Sequence, residues 1–249
     1  MSDTIVVVPC YNERERLDVV QFTKAVSSSS WLTFLFVDDG STDGTSDLLD
    51  LLIAREPSRF QALRLCQNVG KGEAVRQGIL QALKSHPAYV AFWDADLATP
   101  LSDIAEFRHL LKANPNLEMV FGARVKLLGR SIERKATKHY LGRLCAAAVS
   151  ITLRLPIYDS QCGAKMFRVS PEFRELIQQP FRTKWIFDVE ILARLIAARK
   201  GTMLPRAEHV IYEHPLTEWR DIDGPKVKVW SYARAAYDLF RIYCAYRSL

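Results

Sequence analysis

Asp94-Ala95-Asp96 stands where the apolar run Tyr89–Trp93 ends and just before Leu97-Ala98-Thr99-Pro100, a turn that stops a strand and opens a helix. Two carboxylates at period-two spacing would point the same way if the strand geometry continued through them. Hard oxygen ligands of this kind suit Mg²⁺ or Mn²⁺ carrying a substrate diphosphate. Alone, the pattern also fits a helix start decorated with aspartates. The surrounding elements separate the two readings.

The first half alternates strand and helix in the manner that builds a parallel sheet. Strands are predicted at 5–8, 31–37, 60–65, 89–93 and 119–123, with helices over 13–26, 43–55, 72–84 and 101–113 between them. The fold class is therefore α/β, with a mostly parallel central sheet flanked by helices. In such sheets ligands bind at the carboxyl ends of the strands. Those ends carry Pro9-Cys-Tyr-Asn-Glu13, Asp38-Asp39-Gly-Ser-Thr-Asp-Gly44, Asn68-Val-Gly-Lys-Gly72 and the Asp94/Asp96 pair. Asp38 and Asp39 alone read as turn and cap residues, and Gly70-Lys71-Gly72 as a connecting loop. Four such clusters at successive strand ends are hard to reconcile with that reading. Neither G-x-G-x-x-G nor G-x-x-x-x-G-K-[ST] is present, so carboxylates, rather than a glycine cradle, would dominate a nucleotide site.

The net charge of +6 conceals a local surplus. Residues 124–154 hold eight Lys and Arg against Glu133 alone, whereas the first 123 residues are acidic on balance. A local surplus implies a local anionic partner. Only Tyr140 offers a ring among these cations, which argues against nucleic acid. Leu141, Leu144, Cys145, Val149 and Leu153 form an apolar helical stripe beside them, and Trp230, Ala233, Tyr237, Phe240 and Cys244 form a second, near the C-terminus. A basic amphipathic helix suits a membrane surface, and such a stripe suits core packing equally. The five cysteines are scattered without C-x-x-C spacing, so no disulfide framework or zinc site is indicated and a reducing cytosol fits. No signal-peptide pattern leads the chain, and no run reaches the ~18 apolar residues of a membrane span. The expectation is a cytoplasmic protein that is peripheral on the inner face of a membrane.

Taken together, Val8-Pro-Cys-Tyr-Asn-Glu13, Val37-Asp-Asp-Gly-Ser-Thr-Asp-Gly-Thr45, Asn68-Val-Gly-Lys-Gly72 and Asp94-Ala-Asp96 resemble the family 2 glycosyltransferases of GT-A fold. Asp159-Ser-Gln-Cys-Gly-Ala-Lys-Met-Phe167, Trp185-Ile-Phe-Asp-Val-Glu190 and the stretch 218–227 are similar to the polyprenyl-phosphate sugar synthases, nearest the dolichyl-phosphate glucosyltransferases and next the dolichol-phosphate mannose synthases. The resemblance implies an inverting, metal-dependent hexosyltransferase using Mg²⁺ or Mn²⁺. Its donor would be a nucleotide sugar, UDP-glucose first and GDP-mannose second, and its acceptor a polyprenyl phosphate. It implies that Pro9, Tyr11 and Glu13 hold the nucleobase side and Asp39 the nucleoside, with Asp38 beside it. Asp94 and Asp96 would serve ribose, metal and diphosphate, and Lys71 would lie near the nucleotide.

A phosphate monoester has a second pKa near 6, so as acceptor it is already ionised and needs positioning rather than a base. The resemblance assigns that task to Arg124 and to cations among Arg134, Lys138 and Arg143. Asp188, on a predicted helix after Trp185, is a catalytic candidate whose alternative is an N-terminal helix acid. The expected organisation is a catalytic domain over 1–225, with its nucleotide-sugar half about 1–123 and its acceptor half about 124–225, then an amphipathic helix over 226–249. A nucleotidyltransferase is the rival enzyme class, although Pro9-Cys-Tyr-Asn-Glu13 lacks the glycine-rich basic loop such enzymes carry after their first strand.

Overall fold

The structure is a computed structural model; it describes residues 3–133, 136–222 and 229–246, and the side chains of all of these except 136–140 and 229–233. Five strands, β1 (Thr4–Cys10), β2 (Leu32–Asp38), β3 (Phe60–Arg64), β4 (Tyr89–Trp93) and β5 (Met119–Ala123), fall where the apolar runs lie. Helices α1 (Val19–Ser27), α2 (Thr45–Arg55), α3 (Lys71–Ala82) and α4 (Asp103–Ala113) alternate with them. α1 begins six residues later than its periodicity predicts. Asn12 takes a positive φ of 54°, the chain turns through Glu13 to Leu17, and Asp18 then caps the helix by accepting the Val20 and Gln21 amides at 3.0 and 3.2 Å. The turn leaves Glu13 beside the strand ends instead of on a helix.

Beyond β5 the chain forms β6 (Ser131–Glu133), α5 (Ala136–Leu153), β7 (Ala164–Arg168), α6 (Pro171–Gln178), α7 (Phe187–Arg199), α8 (Ala207–Val210), β8 (Ile211–Pro215), β9 (Glu218–Arg220) and α9 (Val229–Ala245). The seven-stranded sheet runs β3-β2-β1-β4-β7-β5-β8, and β7 is antiparallel to both of its neighbours. The fold is thus α/β with a mostly parallel sheet. The antiparallel insertion matters for function, because it brings the start of β7 against the end of β4, where the Asp94 amide donates to the Gly163 carbonyl at 3.0 Å.

Strand alternation divides the core into two layers. Ile5, Val7, Leu35, Val37, Val90 and Phe92 face α3, α5, α7 and α9, while Val6, Val8, Phe34, Phe36, Ala91 and Trp93 face α1, α2 and α4. Trp93, fully buried, donates its indole N–H to the Thr99 carbonyl at 2.9 Å and so staples the Asp94–Pro100 turn to the strand that carries it.

The two amphipathic helices pack against each other and each presents two faces. On α5, Ala146, Val149 and Leu153 are buried, whereas Leu144 and Ile151 are 68% and 79% exposed. On α9 the sequence stripe proves to be the outward face: Tyr237 and Phe240 are exposed and Cys244 with them, while Ala235, Leu239, Ile242 and Tyr246 meet the core. The inward side is also pinned by polar contacts, since the Tyr246 hydroxyl donates to Glu190 Oε1 at 3.2 Å and accepts from Arg194 Nε at 3.1 Å. Trp230 and Ala233 lie outside the described side chains.

α3 crosses β1 and β2 so closely that a Cβ at Gly78 would stand 2.6 Å from Val37 Cγ2 and collide with Val7. Overpacking of this kind costs about 1–3 kcal/mol. Gly78→Val should lower Tm by roughly 2–12 °C in a thermal melt, whereas the same change at exposed Gly129, which has open space around it, should be judged only by its positive φ.

Candidate active site

The loops after β1 and β2 are stitched together by hydrogen bonds. Asn12 receives the Thr42 amide on Oδ1 at 2.9 Å and donates its own amide to Ser41 Oγ at 3.0 Å; the Glu13 amide donates to Thr45 Oγ1 at 2.8 Å. Asp38 is spent on this scaffold. Its Oδ1 accepts the Ser41 amide at 2.9 Å and its Oδ2 accepts the Ser46 hydroxyl, so of the two nucleotide candidates here it is the turn residue. Asp39 accepts the amides of Val69 and Gly70 at 2.7 and 2.9 Å. Burial raises its pKa and these two amides pull it back. Through that clamp Asp39 fixes the loop whose next residue is Lys71. Pro9 is half-buried and Tyr11 is 48% exposed, which leaves its ring free for a planar ligand.

The Lys71 ammonium, at the first turn of α3, lies 2.5 Å from Asp94 Oδ1. Desolvation works against its charge, and Asp94, Asp188 and Asp96 outweigh it, so the pKa stands above the usual lysine value. Asp96 Oδ1 accepts the Ala98 amide at 3.1 Å, and burial followed by the neighbouring Asp94 charge raises the Asp96 pKa. Glu13 reaches the same place from β1. Arg16 holds its Oε1 at 2.6 Å, while Oε2 is buried without a hydrogen-bond partner. Burial pushes the Glu13 carboxyl up to about 7 against the pull of Arg16, with Asp96 and Asp94 adding to the rise.

These partners fit a divalent cation. Asp94 Oδ1 has the Lys71 ammonium as its charged partner, Glu13 Oε2 has no hydrogen-bond partner, and all three acids supply hard oxygen donors. Among the described residues no three His, Cys, Asp or Glu side chains make a metal cluster alone, so a cation here would take further oxygens from a ligand.

The acceptor-side candidates divide. Arg124 is two-thirds of a clamp: its Nε and Nη2 donate to Asp159 at 2.5 and 2.7 Å, its guanidinium lies over the Trp219 ring at 5.2 Å, and its pKa is raised by Asp159 against desolvation, with Asp94 near enough to contribute. Arg143 stacks on Tyr158 at 3.8 Å and donates to the Tyr158 carbonyl at 3.0 Å. Adjacent residues therefore hold the two arginines. Glu213, unnoticed in the sequence, fixes that pair of residues by accepting the Tyr158 and Asp159 amides at 2.9 to 3.0 Å. Arg134 lies outside the described residues, as does the side chain of Lys138, whose backbone belongs to α5.

Asp188 opens α7; its side chain is 9% exposed and its Oδ1 stands 2.9 Å from Lys165 Nζ. Burial raises its pKa, and Lys165 and Lys71 oppose the rise. Arg16 and Lys165 were missed. Arg16 gave an i,i+3 signal with Glu13, whereas Lys165 in an apolar strand gave none. Gly163 was part of a recognised motif without a role. A Cβ there would fall within the Asp94 carboxylate, so any side chain at 163 would displace that acid from its present place.

A carboxylate-lined cleft at the carboxyl ends of a doubly wound sheet, with a lysine and an arginine clamp facing it, suits a group transferase. The model of glycosyl transferase family 2 matches residues 5–172, and the chain belongs to that family; it is a glycosyltransferase. It is 33% identical to dolichyl-phosphate beta-glucosyltransferase of Dictyostelium discoideum over 95% of this chain and 72% of that one. With the human enzyme of the same name it shares 30% identity over 97% and 75%. The glucosyl-3-phosphoglycerate synthase of Mycobacterium tuberculosis, solved with Mn²⁺, UDP and glucosyl-3-phosphoglycerate, superposes with a TM-score of 0.67 over 98% of this chain and 80% of that one at 17% identity, which shows the same fold. The nucleotidyltransferase alternative is thereby set aside.

The raised Glu13 carboxyl predicts a pH dependence. With its value pushed up to about 7, a cation bound beside it would favour loss of its proton. Mn²⁺ affinity, measured by calorimetry without nucleotide, should rise with pH up to about 7 and then level off. Glu13→Gln should flatten the rise. A rise of unchanged steepness in Glu13→Gln would assign the proton elsewhere.

Proposed function

We propose that this glycosyltransferase moves glucose from UDP-glucose to a dolichyl-type polyprenyl phosphate, with inversion, at the cytoplasmic surface of a membrane. The observation that carries the reading is the pair of charge arrangements facing one cleft. Glu13, Asp94, Asp96 and Lys71 make a site for a cation and a diphosphate, and Arg124 clamped on Asp159 brings a guanidinium within electrostatic reach of Asp94. The glucosyl donor and dolichyl acceptor are supported by the names of the curated relatives, and a solved relative of this fold holds Mn²⁺ with UDP-glucose.

Asp96 and Asp94 would hold Mg²⁺ or Mn²⁺, with Glu13 behind them. Such a cation, when bound, offsets the charge that develops on the leaving diphosphate. Lys71 stands at the same place to add a second positive charge. Tyr11 offers an exposed ring to the base. The acceptor needs no general base, since a phosphate monoester is largely dianionic at neutral pH. The arginine side chains position it and screen its approach to the diphosphate, and Trp219 and Tyr158 hold the guanidinium planes from beneath. Attack from the face opposite the diphosphate inverts the anomeric centre.

No helix among the described residues is long and apolar enough to cross a membrane. The exposed Leu144 and Ile151 of α5 and Tyr237, Phe240 and Tyr243 of α9, accompanied by Arg143 and Arg241, support peripheral contact with lipid.

Incubation with labelled UDP-glucose, polyprenyl phosphate and Mn²⁺ should give an organic-extractable glycolipid with one phosphate and a β-anomeric linkage. EDTA and Asp96→Ala should each abolish the product while the melting curve stays cooperative. Label appearing only in a water-soluble glycan, or turnover surviving chelation, would refute the reading. In a vesicle flotation assay with anionic liposomes, Tyr237→Ser/Phe240→Ser should shift the protein from the floating fraction to the bottom. Unchanged flotation would remove α9 from the membrane contact.

A further inference from the structure

Lys165 sits in the middle of the central sheet with no exposed surface, its Nζ donating to the Cys162 carbonyl at 2.6 Å and lying 5.4 and 5.5 Å from the rings of Phe92 and Phe121. A fully buried lysine is costly unless paired. Its partner is Asp188, at 2.9 Å. Stability does not explain the pair, because well-packed apolar residues generally serve a core as well as a buried ion pair does. The explanation lies on the other side of Asp188, where Lys71 is.

The starts of α3 and α7 meet where the Phe187 side chain packs onto Gly72, so closely that a Cβ there would stand 2.9 Å from Phe187 Cβ. Lys71 and Asp188, the neighbours of these two residues in the chain, are thereby brought into electrostatic reach of each other. The charges then alternate through the protein: Lys165, Asp188, Lys71, Asp94. Asp188 acts on both lysines, and Lys71 responds to both aspartates. Once Asp94 is engaged by a cation, Lys71 loses that partner and Asp188 is the carboxylate still beside it.

We infer that Lys165 and Asp188 are positioning residues for the donor site, a buried pair that keeps the Lys71 ammonium aimed at the diphosphate. The inference rests on the nucleotide-sugar reading above. Asp188 touches no substrate in this arrangement; it acts through Lys71. Lys165 sets how much of the Asp188 charge Lys71 experiences. Without Lys165, Asp188 draws Lys71 inward and away from the cleft. Without both, Lys71 has no second partner when Asp94 turns to the cation.

The test measures binding of UDP, and in parallel GDP, by calorimetry in the presence of Mn²⁺, alongside thermal melts. Lys71→Ala should weaken nucleotide binding by about 10- to 150-fold, the range for a charge-assisted contact. Lys165→Met should lower Tm by roughly 6–20 °C, because it strands a buried charge, and weaken binding about 10- to 100-fold. Lys165→Arg should recover part of both. The double variant Lys165→Met/Asp188→Asn separates the roles: Tm should return toward wild type while nucleotide affinity stays low. Added to Lys71→Ala, the same two changes should have no further effect on affinity, since they act through Lys71. Affinity that returns together with Tm, or losses that add in the Lys71→Ala background, would reduce the pair to a structural role. Lys71→Ala with unchanged affinity would overturn the inference from the other end. A wild-type protein that binds neither nucleotide with Mn²⁺ would bring down the donor reading and this inference with it, a result recognisable because it precedes any variant.

Discussion

Mutual repulsion among carboxylates governs the architecture of this cleft. Glu13, Asp94, Asp96 and Asp188 converge from β1, the end of β4 and the start of α7, each at least partly removed from water. Like charges that act on one another in this way cannot all ionise without compensation. The protein supplies it in three directions. Arg16 reaches Glu13 from the turn before α1, Lys71 reaches Asp94 from α3, and Lys165 reaches Asp188 from within the sheet. The late start of α1, the Asp39 clamp on the Val69–Gly70 loop and the antiparallel insertion of β7 are all required to bring those three cations to their places.

The proposed donor and acceptor sides are organised by different physics. On the donor side the acids outnumber the cations, and the site is poised to accept positive charge and then diphosphate. On the acceptor side Arg124 is paired, stacked and held by a carboxylate whose backbone is fixed by Glu213. A prearranged guanidinium loses little freedom when it meets a phosphate. In the proposed reaction a phosphate acceptor needs no base, which suits this division.

Much of the candidate site's position is legible in the sequence because each motif follows a strand whose apolar run is unmistakable. The cleft at the carboxyl ends follows from the alternation of strands and helices, and Asp94/Asp96 from their place after Trp93. What the sequence hides is pairing across distance. Arg124 and Asp159 are 35 residues apart and meet only because β7 threads between β4 and β5. Lys165 lies in a five-residue strand too short to carry a readable period, and nothing local shows that its partner opens a helix. Asp38 and Asp39 are adjacent and chemically identical, yet one closes a turn and the other clamps a loop, a division set by hydrogen-bond donors contributed from elsewhere. The α9 stripe has a clear helical period, but period alone does not say which face meets the core.

The space that a side chain would take at Gly163 is filled by the Asp94 carboxylate. Positions 94 and 163 are therefore coupled in space, although 69 residues separate them. Any side chain at 163 would have to push the Asp94 carboxylate aside, and with it the ion pair to Lys71. The smallest residue in the chain thus sets the aim of an acid that stands at the end of a different strand.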